Sequence, residues 1–160
     1  FSDSELANAP TEVVSAVSQS FHGPFTGEAM LVFPEVRSLE LVRSLLKVDV
    51  PLDTLTDLEQ EALMEVGNII LNACLGSISN VLGEPINCSM PTFRKRETRA
   101  LLDDDTAGGS AATNPVLMIL HVQFILRQNV IDGYVLFVMD LESIQMLREL
   151  VRRFLANSLG

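Results

Sequence analysis

The sequence predicts an α/β domain built around a repeated strand–turn–strand–helix unit. Three observations predict it: an internal repeat, two hairpin-like strand pairs, and a long amphipathic helix between them. Gly27-Glu-Ala-Met-Leu-Val-Phe33 aligns with Gly133-Tyr-Val-Leu-Phe-Val-Met139. With one residue of slippage, Ser38-Leu-Glu-Leu-Val-Arg-Ser-Leu-Leu46 aligns with Ser143-Ile-Gln-Met-Leu-Arg-Glu-Leu-Val151. A unit that recurs after just over a hundred residues implies two pseudo-equivalent halves. At 160 residues the chain is one domain's worth, enough for a sizeable core.

Residues 1–12 read as a polar leader. Val13–Phe21 and Gly27–Phe33 are strand-like, separated by the turn signal His22-Gly23-Pro24. Pro34 sits near the start of a helix whose apolar positions are Val36, Leu39, Leu41, Val42, Leu45 and Leu46; Pro51 closes the unit. Thr54 or Thr56 is placed to cap a second helix, running from 57 to Leu82 before Gly83 and Pro85 end it. After a strand-like Ile86–Met90, the charged stretch Phe93–Leu102 reads as a short helix. Asp103–Thr113, with its acidic run and Gly108-Gly109, reads as a loop. Val116–Leu126 and Val130–Met139 form an apolar hairpin around Arg127-Gln128-Asn129, and a final helix covers Leu141–Ala156.

On this reading residues 13–52 are a first half-repeat lacking its N-terminal helix. Residues 53–160 are the second, with the long helix included. The missing helix would lie upstream of residue 1, which is Phe rather than an initiator Met, and this suggests a processed or truncated chain.

The helix over 57–82 carries the candidate site. At about 100° per residue, Glu61, Glu65, Asn68 and Asn72 fall on one narrow stripe. Leu63, Val66, Ile70, Ala73, Cys74, Ser77 and Val81 fall on the opposite face. The phase predicts that Leu63, Val66, Ile70 and Cys74 are buried, with Glu65 and Asn68 exposed side by side one turn apart. Gly67 and Gly76 each cost about 1 kcal/mol against Ala within a helix. Gly67, beside the stripe, serves either helix packing or a partner's close approach. Taken without context, such a stripe is an ordinary solvated face.

Composition excludes several classes. Apolar residues make up 48% of the chain and mean hydropathy is +0.29, so disorder is not the default. Net charge is −10 with pI near 4.5, which disfavours nucleic acid. The basic run Arg94-Lys95-Arg96 is answered by Glu97 and by Asp103-Asp104-Asp105. His22 and His121 stand alone, with no ligand-spaced Cys, His or carboxylate set, so no protein-held metal is expected. Apolar runs such as Val116–Leu120 are too short to span a bilayer, and no secretory signal is visible. Cys74 and Cys88 fit reduced core thiols in a cytoplasmic protein. No G-x-S-x-G, Walker A or dinucleotide-binding glycine pattern occurs.

One pattern gives the stripe a context: Glu61-x-x-x-Glu65-x-x-Asn68, then twenty-two residues, then Pro91. Two further Glu-x-x-Asn copies, Glu5–Asn8 and Glu84–Asn87, lack the long periodic segment, and the second contains Pro85. The copy at 65–68, with Pro91 in register and Leu58-Glu59-Gln60-Glu61-Ala62-Leu63-Met64 before it, resembles the signature of the CheC/CheX/FliY phosphatases of bacterial chemotaxis. That signature is Asp or Ser, three residues, Glu, two residues, Asn, twenty-two residues, Pro. Glu61 departs from it while keeping a carboxylate. The resemblance covers roughly 13–156, sharply only over 57–91.

The resemblance implies a duplicated CheC-like fold, a largely antiparallel sheet covered by long paired helices. It implies a phosphatase acting on the aspartyl phosphate of a CheY-type response regulator. Asn68 would orient the attacking water, its carboxamide accepting one hydrogen bond and donating another. Glu65 would pair with the receiver's active-site Lys, and Glu61 and Asn72 would lie in the partner-binding edge. Magnesium would be held by the receiver's own carboxylates, with no cofactor on this chain. Pro91 would fix the strand beneath the helix. Within the same fold family, FliM-like switch domains lack the Glu/Asn pair and only bind. A module binding a CheD-like deamidase is a third possibility that sequence leaves open.

Overall fold

The computed structural model describes residues 13–46, 57–97, 116–126 and 129–159. In chain order the elements are β1 (Val13–His22), β2 (Gly27–Pro34), α1 (Glu35–Leu46), α2 (Asp57–Leu82), β3 (Asn87–Cys88), β4 (Thr92–Glu97), β5 (Val116–Leu126), β6 (Asn129–Met139) and α3 (Leu141–Leu159). The expectations for the leader, Pro51, Thr54, Thr56, the Asp103–Thr113 loop and the Arg127-Gln128 turn lie outside the described residues.

Among the described residues six strands form one sheet in the order β5-β6-β2-β1, with β3 and β4 both pairing along the outer edge of β1. Every pairing is antiparallel. The two repeated segments lie side by side in β2 and β6, with Met30 opposite Leu136. These two residues occupy the same position in the repeat, so the register is that of a local twofold between the strands. The glycines that open the two segments obey it. A Cβ on Gly27 would fall against Met139 and Phe21, and one on Gly133 against the ring of Phe33.

Period-two alternation splits the sheet into two apolar faces. Val17, Phe21, Ala29, Leu31, Phe33, Ile131, Val135 and Phe137 form the main core with helix residues Leu41, Leu63, Leu71, Leu75 and Leu150. Val14, Ala16, Met30, Val32 and Leu136 cluster on the other face.

The strand expected over Ile86–Met90 is only Asn87–Cys88, and one expected element differs in type. Phe93–Glu97, expected to open a short helix running to Leu102, lies in strand β4, and residues 98–102 lie outside the described residues. The charges that suggested a solvated helix are those of an edge strand. Phe93 packs onto the core, while Arg94 reaches Glu28 at 4.0 Å and Lys95 pairs with Glu35.

Helix α2 spans the predicted residues. It closes on Gly83, whose φ of +70° lies in the left-handed region that glycine adopts without strain. The Ser79 carbonyl accepts from the N–H groups of both Gly83 and Glu84. By length and composition α2 is apolar enough to cross a membrane. Here it lies on the sheet through a single i, i+4 row: Glu59, Leu63, Gly67, Leu71 and Leu75. This row is turned from the expected face, so Val66, Ile70 and Cys74 are half-buried at the core's edge rather than buried.

Gly67 explains the rotation. A Cβ there would lie 2.5 Å from Val17 Cβ, so the helix sits directly on β1. Between the two roles open from sequence, the structure assigns packing. Gly67→Ala gains about 1 kcal/mol of helix propensity and loses about 1–3 to overpacking, so a lower urea midpoint is expected. An unchanged or higher midpoint would show that helix and strand separate without cost.

Helix α3 is capped by Asp140, whose Oδ1 accepts from the Ser143 N–H at 2.7 Å. This bond, with that of the Ser143 hydroxyl, holds the Asp140 carboxyl below its usual pKa. A lowered folded-state pKa stabilises the fold above the unfolded value of about 3.9, and the contribution is lost as pH falls through the folded value. Asp140→Ala should therefore cost about 1 kcal/mol at neutral pH, with the gap to wild type closing below about pH 4. Denaturant curves at both pH values check this; a gap constant with pH would assign the loss to packing.

Candidate functional site

Glu61, Glu65, Asn68 and Asn72 share one face of α2, as their spacing requires. Glu61, Glu65 and Asn72 are exposed and Asn68 is half-buried. Asn68 is shielded because the buried row drifts towards it along the helix, bringing it over β1. Two residues flank the stripe that the periodicity did not single out: Leu58 and Ile69, both large, apolar and exposed.

Asn68 is held from two sides. Its Oδ1 accepts from Gln19 Nε2 at 3.0 Å and from Asn72 Nδ2 at 2.7 Å. Asn72 thus braces its neighbour one turn away. Sequence reasoning had Asn68 both accept from and donate to a water. Here two donors occupy the two lone pairs of Oδ1, so the side chain's remaining capacity is the two N–H groups of Nδ2.

Gln19 was missed. It lies on β1 between Val17 and Phe21, in the row facing the helices, and is 2% exposed. The available signal was a long amide at an inward position of β1, between the apolar Val17 and Phe21, where burial demands hydrogen bonds. Its second bond runs from Nε2 to the Ser89 carbonyl at 3.0 Å.

That carbonyl belongs to a β-bulge. Ser18 pairs with Thr92, and Phe21 pairs with Cys88. The two residues Gln19 and Ser20 therefore face three: Ser89, Met90 and Pro91. Ser89 is pinned to Ser20, donating its N–H to the Ser20 carbonyl at 2.9 Å and accepting the Ser20 N–H on Oγ at 3.0 Å. Pro91 has no N–H and suits a position where the ladder is interrupted. Met90, at the crest, is 83% exposed.

Around the stripe the electrostatics are simple. Glu61 and Glu65 project from the helix into solvent, and the basic run of β4 is answered by carboxylates of β2 and α1. Cys74 and Cys88 are unpaired thiols whose pKa values burial pushes up, which keeps them protonated. Of the other Glu-x-x-Asn copies, Glu84–Asn87 lies across the end of α2 and the start of β3, and Glu5–Asn8 lies outside the described residues.

Comparison with solved structures identifies the fold class. The chain is similar to FliY of Thermotoga maritima, with TM-score 0.66 and 16% identity over 94% of this chain and 75% of that one. It is also similar to a chain of the CheX–CheY–BeF3–Mg2+ complex from Borrelia burgdorferi, with TM-score 0.54 and 17% identity over 83% and 79% of the two chains. A third similarity is to the chemotaxis protein CheX of Desulfovibrio desulfuricans, at TM-score 0.50 and 16% identity over 82% and 80%. No family model and no curated protein matches the sequence. The mixed α/β architecture, an antiparallel sheet with long helices, is thus the fold of FliY and CheX.

Proposed function

We propose that this protein is a cytoplasmic phosphatase that hydrolyses the aspartyl phosphate of a CheY-type response regulator. One observation carries the reading. The amide of Asn68 is fixed with its N–H donors unspent among the described residues, one turn from an exposed carboxylate on the same helix face. The shared fold with CheX, seen in complex with CheY, supports the choice of partner.

An acyl phosphate is already activated, so positioning supplies most of what catalysis requires. An Asn68 N–H donates to one lone pair of a water, leaving the other aimed at phosphorus. The water oxygen bonds to phosphorus as the bond from phosphorus to the acyl oxygen breaks. The receiver's carboxylate leaves with the electron pair, and the water's proton passes to the phosphate released. Glu65 pairs with a Lys at the receiver's site and sets the docking register. Glu61 extends the acidic edge, and Leu58 and Ile69 add apolar contact beside it. Magnesium is held by the receiver, where it neutralises developing charge on the phosphoryl group. Phosphorylated receiver should lose phosphate in multiple turnovers at substoichiometric protein. Unaccelerated decay would replace this reading with one of binding alone.

A further inference from the structure

We infer that Gln19 is a positioning residue for Asn68, and that the bulge at Ser89–Pro91 exists to hold Gln19. The inference rests on the reading of Asn68 as the water-orienting group and goes beyond it by stating what sets the direction of its amide. An asparagine carboxamide has two orientations of nearly equal shape, and only one presents N–H donors outward. The hydrogen bonds select between them in sequence. A peptide carbonyl can only accept, so the Gln19 atom facing the Ser89 carbonyl is its nitrogen. The other hydrogen of that nitrogen meets Asn68, whose facing atom must then be its oxygen. Asn72 supplies a second donor to the same oxygen. Turning the Asn68 amide over would set its NH2 against the NH2 of Gln19, which the Ser89 carbonyl holds in place.

The chain of constraints begins in the backbone. An unbulged strand would send the Ser89 carbonyl into the ladder; the extra residue turns it onto the Gln19 side chain instead. Pro91 completes this arrangement because it has no N–H with which to close the ladder. Across β1, Gln19 is paired with the small Ala29, which leaves room for the amide over the sheet. Its Oε1 is buried with no hydrogen-bond partner among the described residues. A buried amide with only its donor half used is retained for those donors rather than for stability. The spacing from Asn68 to Pro91 thereby acquires a physical meaning: it places the bulge under the Gln19 side chain that aims Asn68.

Gln19→Met tests this, since it keeps length and volume and removes both donors. Turnover of phosphorylated receiver should lose about tenfold or more in kcat, with KM within about twofold of wild type. The side-chain amide signals of Asn68 in the nuclear magnetic resonance spectrum of the free protein, assigned by their absence in Asn68→Ala, should shift from their wild-type positions. Gln19→Glu is the second variant. Its carboxyl group donates only while protonated, so acceleration over the receiver's own decay should fall with rising pH where wild type is flat. Wild-type kcat in Gln19→Met, beside an inactive Asn68→Ala, would overturn the role of Gln19 and leave that of Asn68. Full activity in Asn68→Ala would overturn the underlying reading. Unchanged Asn68 amide signals in Gln19→Met, or a flat pH profile in Gln19→Glu, would overturn the positioning role whatever the turnover.

Discussion

Asn68→Ala should lower turnover of phosphorylated receiver about a hundredfold or more, the scale of effect when a reacting group loses its orientation. The loss should fall on kcat, with KM near wild type, because the proposed role of the amide is to meet the water rather than to dock the receiver. Stability should also shift. An exposed side chain contributes within about 0.5 kcal/mol, but Asn68 is the acceptor for a buried Gln19 donor. Removing it strands that N–H, at a cost of about 1–2 kcal/mol readable as a lower urea midpoint. Full activity in a folded Asn68→Ala protein would place the chemistry elsewhere.

Glu65→Ala should act on association instead. The carboxylate stands exposed on α2, one turn before Asn68, and the role proposed for it is to meet a cation on the receiver. About a tenfold rise in KM is expected, worth about 1.4 kcal/mol, together with a weaker dependence of KM on salt. At saturating receiver kcat should fall less than in Asn68→Ala. Glu65→Gln, which keeps the shape and loses the charge, should match Glu65→Ala. A Gln variant with wild-type KM would show that Glu65 contributes shape rather than charge.

The elements of the fold were largely legible because two periodicities and strong punctuation agree. Helix α2 could be bounded at 57 and 82 from its apolar period and from Gly83. The repeat of Gly27–Phe33 in Gly133–Met139 announced strands that prove to be neighbours. Strand β4 was not legible, since Arg94-Lys95-Arg96 reads as solvated charge whether it lies on a helix or along a sheet edge. Its ion pairs with Glu28 and Glu35 join residues far apart in sequence. The buried face of α2 was missed by a part-turn for a similar reason. Periodicity weights Val66 and Ile70 by apolarity, whereas contact with Val17 selects Gly67 for its lack of a side chain.

For the candidate site, sequence spacing was enough to align Glu61, Glu65, Asn68 and Asn72 on one face. It could not show that Asn72 braces Asn68, because hydrogen-bond direction is set by the surroundings. Gln19 was hidden more deeply. It lies 49 positions from Asn68 and is joined to it only through the packing of α2 on β1. The bulge depends on the register of β1 against both β3 and β4, which no local pattern encodes.

The most direct test of the account is the decay of a phosphorylated CheY-type receiver with magnesium, followed with and without this protein at about one molecule per ten of receiver. Decay faster than that of the receiver alone is expected, with phosphate released in excess of the protein present and the acceleration abolished by Asn68→Ala. Decay at the receiver's own rate, under conditions where the two proteins are shown to bind, would contradict it.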